Sequence, residues 1–305
     1  YNRGPFPPPT RIEETTMRIH RNLALAALTL LPLAASADHH GAKPAAADPV
    51  LAEVVAGDWR TPEAKARDAA RHPVESLTFW GLKPGMAILE IQPGGASWWT
   101  EILAPYAKRT GGTFYVTGAD LDNPELSAGA RKAREDFEAR YGANPDLYGK
   151  IGVVNWGAKS KPLPKESYDL ILTARSIHGW MRSPGMVEKT FKEFHDALKP
   201  GGILAVEQHR ANPGPQDPNA ESGYVTEAYV IEQAEKAGFK LAAKSEINAN
   251  PKDTKDHPFG VWTLPPALRS TAYGSQTAED ANFDHSKYIA IGESDRMTLK
   301  FVKAK

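Results

Sequence analysis

The chain has 305 residues, 41% of them hydrophobic and 24% charged, enough apolar material for the full-size core of an ordinary soluble protein. Its 37 Lys and Arg balance 37 Asp and Glu, so no basic field favours a nucleic acid partner and no block of like charge reads as an interaction tail. Cysteine is absent, which excludes disulfides, lipoprotein attachment and thiolate zinc sites.

Residues 1–16 are Pro-rich and without pattern, and read as an extension upstream of a start at Met17. Residues 17–37 follow the three-part plan of a secretory signal peptide: Arg18 and Arg21, then the apolar run 23–31, then Ala35-Ser36-Ala37 as the cleavage signal. The run is shorter than the roughly 20 residues that a bilayer span needs. Cleavage after Ala37 predicts a periplasmic or secreted protein with no stable membrane insertion. Arg18 and Arg21 are not adjacent, so no twin-arginine signal is present and export would be of the unfolded chain. His40 would then stand third in the mature chain, where an amino terminus can chelate copper or nickel. Residues 38–58, rich in Ala and Pro at their start, read as a flexible lead-in to a single domain over 59–305.

Thr61-Pro62-Glu63 predicts a helix start, with a hydroxyl cap, Pro at the first position and an acid in the first turn, running to Arg71 before His72-Pro73. Strands are predicted over 87–91, 113–118, 151–155, 168–174 and 202–208. Helices over 97–109, with Pro105 as a kink, and over 126–141, 186–198 and 226–237 fall between or after them. This alternation gives a doubly wound, mostly parallel sheet covered on both faces, with every strand-to-helix loop on one edge. The last two strands, 239–247 and 297–302, have no helical pattern between them and read as an antiparallel pair. The polar stretch 248–296 that joins them is long enough to be a functional cover or insertion.

The chemistry concentrates after the strand 87–91. Glu90 ends an apolar run, and Gln92-Pro93-Gly94-Gly95-Ala96 turns the chain towards a helix for which Ser97 is the expected cap. Small residues let a ligand approach the backbone, and a helix N-terminus offers unpaired N–H groups to a phosphate or a carboxylate. The dinucleotide fingerprint G-x-G-x-x-G is missing, which argues against a nicotinamide-dependent oxidoreductase. With its acid at the strand end and Gly94 four residues on, the segment LEIQPGGASWWTEILAPY resembles class I S-adenosylmethionine-dependent methyltransferases, more closely a bacterial group of exported methyltransferases with an E-x-x-PGG loop. Gln92 and Ala96 stand where that family usually has Gly.

Further landmarks follow in the family's order over about residues 71–303: YVTGAD, SYDLILTARSIHGW, ALKPGGILAVEQH and VIEQAEKAGFKL. The resemblance implies a Rossmann-like seven-stranded fold, S-adenosyl-L-methionine as cofactor and methyl transfer to a small molecule. It implies that Glu90, Gln92, Gly94, Gly95 and Ala96 hold the methionine part of the cofactor and that Asp120 holds the ribose hydroxyls, with Asp122 a weaker match. The alternative is a non-catalytic periplasmic binding or scaffold protein that retains the fold.

Arg175, Ser176, His178 and Trp180 follow the fourth strand, and Glu207, His209 and Arg210 end the fifth, all on the ligand-binding edge. His178 and His209 are the candidate catalytic groups, because imidazole can take a proton near neutral pH. Arg175, Trp180, Glu207 and Arg210 are candidates for the substrate pocket. No metal is expected, since no spacing here has the force of H-E-x-x-H. Arg67-Asp68 and Arg71-His72 read either as a charged helix face or as a cover over the cofactor. Trp98 and Trp99 read as one core and one pocket-rim residue.

Overall fold

The computed structural model describes residues 48–305; the expected extension, the expected signal peptide, His40 and the expected lead-in up to residue 47 lie outside them. Four short helices come first. In α1 (Pro49–Val55) the Asp48 side chain caps the Val50 N–H, and Leu51 and Val54 are buried. The lead-in expected over 38–58 is therefore corrected at its C-terminal end, because a two-residue apolar stripe docks this segment into the core. α2 (Pro62–Ala66) starts on the Thr61 cap as expected. The single helix expected up to Arg71 is split at Arg67 into α2 and α3 (Asp68–Arg71). Pro73 has no N–H to continue α3, so the chain turns through His72 at a φ of 42° and restarts as α4 (Pro73–Trp80).

The remaining elements alternate: β1 (Ala87–Ile91), α5 (Thr100–Thr110), β2 (Thr113–Gly118), α6 (Ala128–Gly142), α7 (Pro145–Tyr148), β3 (Ile151–Asn155), β4 (Tyr168–Ala174), α8 (Ile177–Trp180), α9 (Met186–Ala197), β5 (Leu198–His209), α10 (Glu227–Lys236), β6 (Phe239–Ser245), α11 (Ser286–Ile291) and β7 (Arg296–Lys303). The strands form one sheet in the order β3-β2-β1-β4-β5-β7-β6. All neighbours from β3 to β5 are parallel, and β7 runs antiparallel to both β5 and β6, as the terminal pair was expected to do. β5 starts earlier than predicted, because Lys199 to Gly202 stays extended beside a register shift opposite Tyr168 and Leu170.

Alternation along each strand divides the core between the two faces. Leu89, Ile91, Ile171, Leu204 and Val206 pack with Trp180, Phe191 and Phe194, whereas Ile88, Leu170, Leu172 and Ala205 pack with Trp80, Trp99, Ile102 and Tyr106. The Trp80 indole N–H donates to the Leu299 carbonyl at 3.0 Å and ties α4 to β7. The stretch 248–296 is pinned rather than loose. Asn248 bonds Ser76 and Thr298, and buried Asp253 accepts hydrogen bonds from the Tyr224 hydroxyl and the Asp295 N–H.

Candidate active site

The order of the parallel strands reverses between β1 and β4, which leaves a crevice beyond their C-terminal ends. From β1 the chain enters it through Gln92 at a φ of 49° and Gly94 at 67°. The left-handed region costs a residue with a Cβ about 1–2 kcal/mol. Two hydrogen bonds hold Gln92 there: its N–H donates to Thr117 Oγ1 at 2.8 Å, and its Oε1 accepts from the Trp180 indole at 2.9 Å. Ser97 and Arg175 are also left-handed, at 47° and 57°, so strained residues gather on the loops after β1 and β4.

The ridge Pro93-Gly94-Gly95 separates two cavities and lines both. A Cβ built on Gly94 or Gly95 meets no atom within 4 Å, so the space over the ridge is open. The larger cavity, of about 620 Å³, lies between the ridge, the ends of β2 and β3, and α6. Its apolar wall is Val116, Ala130, Ala133, Phe137, Val153 and Trp156. Arg134 closes the strand ends by bonding the Ala119 carbonyl, the Val153 carbonyl and the Asn155 side chain. The volume is in the range of small-molecule sites, roughly 300–1,000 Å³.

The smaller cavity, of about 260 Å³, is two-faced. Arg67, Arg71, Arg175, His209 and Glu293 line one side; Val261, Trp262, Leu264, Pro265 and Pro266 line the other. Behind the polar side lies a buried ionic cluster. Glu293 pairs with Arg67 at 2.8 Å, Arg71 at 2.9 Å and Arg296 at 2.8 Å. Glu207 lies 3.1 Å from Arg296 and 3.5 Å from Arg175. Four guanidinium groups thus face two carboxylates, an excess of two positive charges. Burial pushes the Arg71 guanidinium down, and the Arg175 charge adds to this, to about 8. Burial pushes Glu293 up, but Arg71, Arg296 and Arg67 together outweigh it and hold the carboxyl at about 2. The same contest leaves Glu207 below the usual carboxylate range, through Arg175, Arg296 and Arg71.

The sequence-predicted residues divide by place. Gln92, Gly94 and Gly95 line the larger cavity; Gly94, Gly95, Ala96, Arg175 and His209 line the smaller. Glu90 lies below the ridge and accepts the Thr100 hydroxyl at 2.6 Å; burial pushes its carboxyl up to about 8. Asp120 caps the Asp122 N–H and faces a separate shallow cleft with Lys159 and Lys161, while its neighbour Ala119 lines the larger cavity. Ser97 does not cap α5, which starts at Thr100; at its positive φ the hydroxyl folds back to donate to the Gly94 carbonyl.

Three expectations need correction. Trp180 belongs to the core, against Trp156 and Phe194, and touches the site only by its hydrogen bond to Gln92. Arg210 is taken up by Asp295 and Glu246, and ties β5 to the stretch 248–296. Glu207 lies behind Arg175, outside both cavity walls, as a counter-ion. His178 is held differently from a general base. The Gln208 side chain, fixed by the Ile177 N–H and the Gly223 carbonyl, donates to His178 Nδ1 at 3.2 Å, so the neutral ring carries its proton on Nε2. Burial and Arg182 push His178 down to about 4. His209 is half-buried beside it, with the rings 5.6 Å apart, and its Nδ1 is 2.6 Å from Ser294 Oγ. Burial, then the nearby His178 and arginines, keeps His209 uncharged at neutral pH.

Of the two readings given for Arg67-Asp68 and Arg71-His72, the exposed helix face fails at Arg71, which is buried with its guanidinium 4.9 Å from the centre of the Trp98 ring. Trp98 is the rim residue of the indole pair and Trp99 the core one. Glu293, Ser294, Arg296 and the wall 261–266 carry one weak signal, the acid-to-arginine spacing Glu293 to Arg296 just before the last strand. Among the described residues no group of three or more His, Asp or Glu is placed to hold a metal, and no helix is long and apolar enough to cross a membrane.

Residues 93–206, from the ridge to the end of β5, match the family described as a methyltransferase domain. The match covers residues 93–206, well under half of the chain. The cofactor it implies is S-adenosylmethionine. The chain is 26% identical over 136 residues to the ubiquinone/menaquinone biosynthesis C-methyltransferases of Shewanella pealeana and Shewanella halifaxensis, covering 45% of this chain and 46% of each relative. The matched region thus spans about half the length of these relatives. A solved S-adenosylmethionine-dependent methyltransferase from Aquifex aeolicus is 19% identical, with a TM-score of 0.44 over 65% of this chain and 93% of that one. The residues present fit the cofactor: an open glycine ridge, no Cβ in the way, and a largely apolar cavity of adequate size beside it.

Proposed function

We propose that the protein transfers a methyl group from S-adenosylmethionine to a small molecule, with the cofactor in the larger cavity and the methyl acceptor in the smaller. The observation that carries this reading is the ridge Pro93-Gly94-Gly95, which both cavities share. The cofactor supplies an electrophilic methyl on a sulfonium, whose carbon–sulfur bond breaks towards sulfur as the acceptor's lone pair takes the carbon. The protein's own work is mainly alignment, which suits a rigid ridge between two preformed chambers. Phe137, Val153 and Trp156 would flank the flat part of the cofactor, and the backbone from Gly94 to Ser97 its amino-acid end. His209 stands on the acceptor side and, being uncharged, adds no further cation beside the sulfonium.

The E-x-x-PGG loop and the export signal support placing this chain with exported methyltransferases, at work beyond the membrane; fractionation of cells expressing the full chain, with detection of cleavage after residue 37, tests that part. The catalytic part is tested by calorimetric titration with S-adenosylmethionine and S-adenosylhomocysteine, followed by incubation with methyl-labelled cofactor and an extract of small metabolites. Binding of both and label in a small product are expected. Binding without transfer would favour a non-catalytic binding protein, and no heat with either ligand would sink the reading.

A further inference from the structure

We propose that the smaller cavity is a specificity site for a small organic anion with an apolar body, an aromatic carboxylate being the simplest example; this rests on the methyltransferase reading above. The polar wall holds more positive than negative charge, Arg67, Arg71 and Arg175 against Glu293, with Arg296 and Glu207 paired behind it. Arg71 is 3% exposed, yet its Nη1 has no hydrogen-bond partner, and Arg175 Nη1 makes no hydrogen bond, only a looser ion pair with Glu207 at 3.5 Å. Both residues line the cavity. A buried donor without a partner costs about 1–3 kcal/mol, more when charged, and a carboxylate is the ligand that satisfies guanidinium groups in pairs.

The opposite wall sets the other half of the ligand. Val261, Trp262, Leu264, Pro265 and Pro266 offer no charge and suit a ring or a short apolar body. A cavity of about 260 Å³ admits a single substituted ring and rejects a long chain or a polymer. His209, kept uncharged, leaves the arginines as the only cations on the wall. Apart from the ridge, Ala96, Trp98 and Arg175, the lining residues lie outside residues 93–206. Arg67 and Arg71 come before the matched domain, and residues 261–267 and Glu293 after it, so this selectivity is an addition of this chain to the common domain.

The probes are benzoate and benzamide, which share a shape and differ in charge, titrated calorimetrically into the full protein with and without saturating S-adenosylhomocysteine. Benzoate is expected to bind, and benzamide at least about tenfold more weakly. Arg67→Gln, a partly exposed position, and Arg71→Gln, a buried one, should each weaken benzoate by about tenfold or more and leave S-adenosylhomocysteine affinity nearly unchanged. Thermal melting of each variant establishes that it is folded; should Arg71→Gln not fold, the Arg67→Gln result decides. Equal binding of the two probes, or no binding of benzoate, overturns the proposal. Displacement of benzoate by S-adenosylhomocysteine also overturns it, because the arginines would then serve the cofactor's own carboxylate. Benzoate binding in a protein that ignores S-adenosylhomocysteine would uphold the anion site and sink the methyltransferase reading instead.

Discussion

The indole N–H of Trp180 donates to Gln92 Oε1 at 2.9 Å, so the loop after β4 holds the loop after β1 in place. This bond explains how a glutamine occupies a left-handed position where the resembling family usually has Gly. Trp180→Phe keeps a ring against Phe191 and Phe194 but removes the donor together with part of the buried indole. It should cost about 2–3 kcal/mol of stability and weaken S-adenosylhomocysteine severalfold by loosening the ridge. Urea unfolding and calorimetry on the same preparation check both; unchanged affinity would show that the ridge keeps its shape without Trp180.

Gly95 has no positive φ, and a Cβ there meets nothing within 4 Å. Gly95→Ala should therefore change stability by no more than about 0.5 kcal/mol. The added methyl stands on the ridge between the two chambers, so ligand affinity should fall by about tenfold or more. A melting temperature close to wild type with a lost calorimetric signal is the expected pair of results.

Glu90 holds its proton up to about 8, against 4.5 for the free side chain, so the folded protein binds a proton that the unfolded chain releases. Its contribution is complete below 4.5 and declines as pH rises towards 8, by up to about 1.4 kcal/mol per unit. Glu90→Gln keeps an acceptor for the Thr100 hydroxyl and removes the titration. Denaturant midpoints at about pH 5 and about pH 8 should show the variant gaining on wild type as pH rises. Parallel curves for the two proteins would refute this.

Glu293 behaves in the opposite sense. Its folded pKa of about 2 lies below the free value of 4.5, so the stability it contributes is present above 4.5 and is lost as pH falls towards 2. Glu293→Gln leaves Arg67, Arg71 and Arg296 facing Glu207 alone, which should cost about 3–5 kcal/mol near neutrality. The variant should also lose this part of the acid dependence, read from thermal melts over a pH series.

The fold was largely legible in the sequence because it rests on local signals. β1, β2, β3 and β4 fall on the predicted residues, since short apolar runs bounded by Gly, Pro and charge leave little choice of register. The ridge was legible because Pro93-Gly94-Gly95 has few uses other than close backbone approach. The cluster was not, because Arg71, Glu207 and Glu293 are far apart in sequence, and nothing in the chain order pairs the Glu207 of the ligand edge with arginines before β1 or Glu293 with either. Trp180 and Arg210 were misjudged for a related reason. Position on the ligand edge is set by the strand, whereas side-chain direction is set by partners, here Phe194 and Asp295, that no periodicity announces.

Glu293 and Arg296 stand at the start of β7, and among the described strands β6 pairs only with β7. The strand that slots between β5 and β6 therefore also completes the ionic cluster, since without it Arg71 and Arg175 have Glu207 as their only cluster carboxylate. The polar side of the smaller cavity is thus complete only when the sheet itself is complete.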